Sequence, residues 1–264
     1  MKSVKKLIMV ICLILSCTAC AQPEGPSSSS DVQPVMLYFV RHGKTMFNTT
    51  GQIQGWSDTP LTEAGETQAD ATGRGLKDIS FIAAYTSDLG RARATAQRIL
   101  AQNEQPVPQL IELTGLREWG YGGYEGRPGN EMWDPIFEAH GLTFDESFSQ
   151  YKELKNLIGE AGIADAIAAN DPTQTAETYD QILTRAQQAM DQIVAEAQAA
   201  GGGSVLIVSS GGVIPTILKM LMPDQFQGGS LANCSVTIVE VQDGQYTLGV
   251  VGDTSYTEKG TVKQ

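Results

Sequence analysis

The chain has 264 residues, enough for one large domain or one domain with an elaborated insert. It carries 30 Asp and Glu against 18 Lys and Arg, a formal net charge of −12. That balance argues against nucleic acid as a partner, because a phosphate backbone needs a basic surface, and an anionic small molecule would need its own local basic pocket.

The amino terminus reads as a targeting segment outside the fold. Lys2, Lys5 and Lys6 form a basic start, and Leu7 to Leu15 an apolar stretch too short to span a bilayer comfortably. Ser16-Cys17-Thr18-Ala19-Cys20 resembles a bacterial lipoprotein signal, with Cys20 as the lipidated first residue of the mature chain. Cys17 is the alternative lipidation site, and it stands where such signals usually carry Leu. An ordinary secretory signal cleaved near Ala19 is the alternative reading. Residues 21–33 are rich in Pro and Ser and read as a flexible tether. The expected organisation is a signal over 1–20, a tether over 21–33 and a domain over 34–264. Its expected place is the extracellular face of the bacterial membrane, reached through the lipid anchor alone. Cleavage at Cys20 leaves only Cys20 and Cys234, and a lipidated thiol cannot pair, so no disulfide framework is expected.

Val35 to Val40 is an apolar, β-branched and aromatic run, read as a buried strand. It stops abruptly in Arg41-His42-Gly43. A histidine there lies at the sheet edge where ligands bind in open α/β sheets, although an inert core histidine fits the tripeptide equally well. Residues 41–60 read as a polar loop. Thr62 is a natural N-cap for a helix from about Glu63 to Leu76. A second strand is predicted over Phe81 to Thr86, a helix over about Gly90 to Gln102, and a third strand over 107–113. Leu116 to Gly126 is a glycine- and aromatic-rich loop. Residues 127–174 lack a β-α pattern and read as a helical insert with pieces over Asn130 to Ala139 and Phe148 to Gly159. A long helix follows over about Ala176 to Ala199, with Ile182, Ala186, Met190, Ile193 and Ala197 at helical spacing. Ser204 to Val208 is the next strand, and Ser209-Ser210-Gly211-Gly212 turns into a helix reaching about Leu221. Strands over about Cys234 to Val241 and Gln245 to Gly252 close the chain, with Cys234 a small core residue. Strands alternating with helices imply an α/β class: a three-layer α/β/α sandwich on a mostly parallel sheet, with a helical insert.

Arg41 follows the first strand and Arg91 the second, and the 209–212 turn opens a helix whose N–H groups can face an anion. Two guanidiniums, an imidazole and a helix amino terminus around one point make a phosphate site. The sequence has no aspartate cluster and no Cys/His set with metal spacing, so chemistry without a metal or other cofactor is expected.

These stretches, taken together, resemble the histidine phosphatase superfamily in its phosphoglycerate mutase-like branch. The resemblance rests on Arg41-His42-Gly43-Lys44-Thr45 with Asn48, on Gln54 to Gly65 with Gln68-Ala69, on Ser87-Asp88-Leu89 with Arg91-Ala92 and Thr95-Ala96, and on Leu116, Glu118 and Gly122 to Gly126. It runs from about residue 35 to 252, with the motifs in family order. It implies a phosphomonoesterase acting on a phosphorylated small molecule. His42 is then the nucleophile that becomes a phosphohistidine. Arg41, Arg91 and Asn48 hold the phosphoryl oxygens, with a contact from Gln54-Gly55. Glu118 gives the leaving alcohol its proton and then activates water. Trp119, Tyr121 and the insert line the substrate mouth, though aromatics there serve equally as lid packing.

One position departs from the resemblance. The family carries a second histidine in a Ser-His-Gly-Gly pattern, and here Ser210 stands in its place, before Gly211. Serine is a shorter, neutral donor, and losing one donor of this kind costs about a hundred- to a thousand-fold in rate. A tolerated serine, an engineered change and a binding protein without turnover are all compatible with this. The only other histidine, His140 in the insert, reads as a solvated helix-end residue. A mutase is disfavoured, because it must retain its phosphohistidine and an extracellular site offers little phosphoglycerate.

Overall fold

A computed structural model describes residues 33–261. The signal, Cys20 and nearly all of the tether lie outside the described residues. Six strands form one sheet: β1 (Val35–Arg41), β2 (Phe81–Thr86), β3 (Leu110–Glu112), β4 (Gly203–Ser209), β5 (Val236–Gln242) and β6 (Gln245–Leu248). Their order is β3-β2-β4-β1-β5-β6. The four strands from β3 to β1 are mutually parallel, while β5 runs antiparallel to β1 and β6 antiparallel to β5. This is the expected α/β sandwich with a mostly parallel sheet.

Each face of the sheet carries its own core. Val35, Leu37 and Phe39 of β1 join Val205 and Ile207 of β4 beneath α6 (Tyr179–Ala199) and α7 (Val213–Leu221). Tyr38 and Val40 point the other way and meet Leu206, Val208 and the Ala92, Ala96, Ile99 stripe of α3 (Gly90–Ala101). Burial on both faces is why β1 and β4 read as continuous apolar runs.

Helix α2 (Glu63–Gly75) starts on Thr62, whose hydroxyl accepts from the Gly65 N–H. It packs against α8 (Ser255–Gly260), a turn the sequence reading misses. A second unforeseen helix, α1 (Met46–Thr50), interrupts the 41–60 loop. Its signal is local: Thr45 and Asn48 form a reciprocal capping box. The insert carries α4 (Gly129–Glu138) and α5 (Tyr151–Asn170). The second insert helix ends at Gly159 as expected: the backbone leaves helical geometry there, with φ 69° and ψ 177°, and a further helix that the sequence reading misses follows directly and runs to Asn170. Essentially only glycine enters that backbone region. The third predicted strand is shorter than expected, Leu110–Glu112, and α6 begins at Tyr179 on a Thr178–Gln181 capping box.

The irregular segment from Gly115 to Glu125 has few partners in regular structure, so side chains supply them. Arg185 of α6 donates to the carbonyls of Gly115 (3.0 Å), Arg117 (2.7 Å) and Glu118 (2.8 Å). The same guanidinium grips the Glu177 carboxylate at 2.7 and 2.8 Å, and Glu177 accepts the Gly120 N–H at 2.8 Å. Asp171 accepts from the Gly123, Thr173, Thr175 and Ala176 N–H groups. Burial pushes the Asp171 pKa up, but the N–H bonds outweigh it and hold the carboxyl well below its ordinary range. Removing Arg185 strands Glu177 and three carbonyls at once. Arg185→Ala is expected to lower the unfolding free energy by about 3–5 kcal/mol, as for other broken buried pairs. Urea unfolding measures this, and a loss below about 1 kcal/mol would show that the segment does not depend on the clamp.

Candidate active site

The carboxyl ends of β1 and β4 lie side by side because Arg41 pairs with Ser209 in register. The next residues, His42 and Ser210, therefore stand at one sheet edge, with the His42 N–H on the Ser209 carbonyl at 2.9 Å. Strand β5 runs the other way, so its start reaches the same edge: Val40 pairs with Val236. That delivers Asn233, whose amide donates to the His42 carbonyl (2.8 Å) and to Asn48 Oδ1 (3.3 Å). Cys234 also sits there, its thiol free and buried, its backbone at φ 60°.

His42 is 3% exposed. Its Nδ1 lies 2.9 Å from the Gly43 carbonyl, which can only accept. Nδ1 therefore carries the hydrogen and Nε2 presents a lone pair. Burial, then Arg91 and Arg41, lower the His42 pKa well below its ordinary value, against a small opposing effect of the Gly43 hydrogen bond. The ring is neutral at physiological pH, as a nucleophile requires.

Arg91 is fully buried. Its terminal nitrogens donate to the Ser57 carbonyl (2.9 Å), to Asp58 Oδ1 (3.1 Å) and to the Gly55 carbonyl (2.6 Å). Arg41 donates to the Leu231 carbonyl at 2.5 Å. Among the described residues the Nε–H of each arginine is buried and meets no acceptor, and neither does the Ser210 hydroxyl. Buried donors without partners are rare and costly, and three of them near the imidazole suit an oxyanion with several acceptor oxygens.

Asn48 accepts from Thr45 and Asn233 through Oδ1, which fixes the amide. Gln54 is tied at both ends, accepting from Thr45 (2.6 Å) and donating to Thr59 (2.9 Å). The Gly55 N–H goes to Glu125 at 3.0 Å. The Gly55 carbonyl thus helps to position Arg91. Glu125, which sequence reading passed over, accepts the N–H groups of Gly55, Trp56, Ser57 and Tyr121.

The amino terminus of α7 is occupied differently from expectation. Its Gly212 N–H donates to Glu118 Oε2 (2.7 Å) and its Val213 N–H to Oε1 (2.8 Å). Glu118 Oε1 also accepts the Trp119 N–H at 2.9 Å. The group at this helix end is the protein's own Glu118 carboxyl. Both glycines are there for close approach: a Cβ on Gly211 would meet Arg41 Nε at 2.9 Å, and one on Gly212 would meet Glu118 Oε1 at 2.6 Å. His140, just past the end of α4, has Nδ1 on the Ile136 carbonyl at 2.9 Å.

A cavity of about 920 Å3 opens beside Gly211 and Gly212, walled by Trp119, Tyr121, Tyr151 and Tyr179. Tyr121 is one of these walls. Burial, then Glu118 and Tyr151, raise its phenol well above the ordinary value.

The description of the histidine phosphatase superfamily, branch 1, matches residues 37–153 and 137–254. The metal-independent phosphoserine phosphatase of Arabidopsis thaliana is 29% identical over 234 residues, covering 88% of this chain and 87% of its own. A broad-specificity phosphatase of Saccharomyces cerevisiae is 29% identical over 238 residues, covering 88% and 91%. The crystal structure of phosphoglycerate mutase from Bacillus anthracis str. Sterne shares the fold at a TM-score of 0.79 and 41% identity, covering 88% of this chain and 98% of that one. The chain belongs to the histidine phosphatase superfamily, in its phosphoglycerate mutase-like branch.

Proposed function

We propose that this protein hydrolyses phosphomonoesters through a phosphohistidine on His42, more slowly than a counterpart with histidine at position 210. The observation that carries this is the neutral His42 ring, its Nε2 lone pair free, beside two arginines with unpartnered Nε–H groups. Phosphatase activity is what its full-length relatives in Arabidopsis and yeast are named for.

In the first step His42 Nε2 attacks phosphorus, the P–O ester bond breaks, and the leaving oxygen takes a proton from Glu118. Oε2 is the oxygen for that proton, since it accepts one N–H where Oε1 accepts two. Arg41, Arg91 and Asn48 meet the charge on the equatorial oxygens. In the second step water attacks, the P–N bond breaks, Glu118 takes the water's proton, and phosphate leaves. Hydrolysis is favoured over mutase chemistry because the cavity is open: Lys152 and Lys219 of its wall are exposed. A retained phosphohistidine needs water kept out.

Ser210 favours a second reading, a protein that binds phosphorylated ligands without turning them over. Its buried hydroxyl is short, neutral and unpartnered. p-Nitrophenyl phosphate separates the two. His42→Ala is expected to remove turnover, and Ser210→His to raise kcat by about a hundred-fold or more. Parent turnover no higher than that of His42→Ala would leave the binding reading.

With only two histidines, the ring nitrogens are readable by 15N NMR. Lowering the pH from 7.5 to 6.0 is expected to leave His42 neutral with Nε2 unprotonated, because its pKa is depressed. A His42 ring half-protonated near pH 6.5 would contradict this. The proposal extends to the lipid anchor at Cys20 on the extracellular face. Cys20→Ser is expected to shift the protein from the membrane pellet to the soluble fraction.

A further inference from the structure

The Asn48 amide is oriented from outside, by Asn233. Asn233 lies in the turn before β5, and its Nδ2 is 2.8 Å from the His42 carbonyl. A carbonyl can only accept, so the NH2 end of the Asn233 amide faces His42. The same Nδ2 lies 3.3 Å from the Asn48 side chain, which must therefore present its Oδ1 there. The Thr45 N–H makes the same demand on Oδ1, also at 3.3 Å. Two main-chain groups thus set the Asn48 amide: the Thr45 N–H directly, and the His42 carbonyl through Asn233. What remains is the Asn48 NH2, which meets no acceptor among the described residues.

The turn that carries Asn233 is held tightly against β1. Cys234 lies in the left-handed region at φ 60°, which a residue with a Cβ seldom adopts. Such strain persists where the surrounding bonds over-determine it. Here the Cys234 N–H donates to the Arg41 carbonyl at 2.9 Å, and the Arg41 N–H to the Ser235 carbonyl at 3.3 Å. Two residues before Asn233, the Leu231 carbonyl accepts from a terminal nitrogen of Arg41 at 2.5 Å. One short segment therefore holds both the Arg41 guanidinium and the Asn48 amide.

An amide at position 233 could serve the fold alone, by tying the turn to β1. That tie needs a single donor, and the backbone bonds of Cys234 and Arg41 already supply it. Satisfying the His42 carbonyl and Asn48 Oδ1 together needs two hydrogens on one atom, which an amide nitrogen has and a hydroxyl lacks.

Resting on the phosphoryl-site reading above, we propose that Asn233 is a positioning residue for phosphoryl transfer: it carries the polarity of the His42 carbonyl to Asn48 and so keeps the Asn48 NH2 for the phosphoryl oxygens. An Asn48 amide flipped end for end would offer those oxygens a carbonyl, a repulsion in place of a bond.

The test is the binding of orthovanadate, whose five-coordinate adducts imitate phosphorus under in-line attack, and it needs no turnover. Titration calorimetry compares the parent, Asn48→Ala, Asn233→Leu and the double variant, each as the full chain. Leucine fills about the space of asparagine and offers no donor. Asn233→Leu is expected to weaken vanadate binding about tenfold, close to the loss in Asn48→Ala. The double variant is expected to bind within about twofold of Asn48→Ala, because Asn233 acts through Asn48. A merely structural role for Asn233 would make the two losses multiply, and that result would overturn the proposal. Parent-like affinity in Asn233→Leu, or in Asn48→Ala, would overturn it as well. Asn233→Ala repeats the comparison without the bulk of leucine, and the same pattern is expected of it should the leucine variant fold poorly. Vanadate binding by a parent that does not turn over p-nitrophenyl phosphate would sink the hydrolytic proposal and leave this one to be decided by the same affinities. A parent that binds no vanadate would sink the phosphoryl site and this inference together.

Discussion

Two neighbouring guanidinium groups, one fully buried and one half-buried, are the feature on which the rest of this structure depends. Arg91 is fully buried, and its charge lowers the pKa of the nearby Arg41, whose own burial contributes most. Like charges in a weakly polar interior repel, and each needs its donors met. The surrounding backbone answers that need. Carbonyls of Gly55, Ser57 and Leu231 turn inward, and Asp58 adds a countercharge. Glu125 then gathers the N–H groups of the same loop, so that its carbonyls stay pointed at Arg91. What the protein leaves unmet, one Nε–H on each arginine, is what a phosphoryl group can complete.

Much of this was legible in the sequence wherever the cause is local. The β1 run and its abrupt end, the Thr62 cap and the stripe of α6 each have a short-range physical signature, and each appears where it was read. Short-range rules are incomplete in one place. Gly159 ends one helix as its signature predicts, but a second helix starts directly after it, and Leu154, Ile163 and Ile167 pack both into the same core. The capping box of α1 was present in Thr45 and Asn48 and was simply not used.

The site was legible as a set of residues but not as an arrangement. His42 and the arginines are named by position, and the registers of β1 and of β2 on β4 bring the ends of these strands to one edge. The partners of Glu118 could not be read, because Gly212 and Val213 lie more than 90 residues away in sequence and meet it only through the fold. Asn233 was missed for a related reason: whether β5 runs parallel or antiparallel decides which end of it reaches the site, and no local feature encodes strand direction. The glycines at 211 and 212 gain a specific meaning as well. They let a guanidinium and a carboxylate touch the backbone, a demand independent of which residue occupies position 210.

The sulfur of Cys234 has a consequence of its own. Burial pushes the thiol up to about 12, against the smaller lowering effects of Thr72 and Arg41. Attack on a disulfide or a peroxide requires the thiolate, and at neutral pH almost none exists here. The residue can therefore sit beside the candidate site and remain a reduced, inert packing atom. Oxidation of this thiol would have to begin with unfolding, so the redox durability of the molecule is set by how rarely its sheet opens.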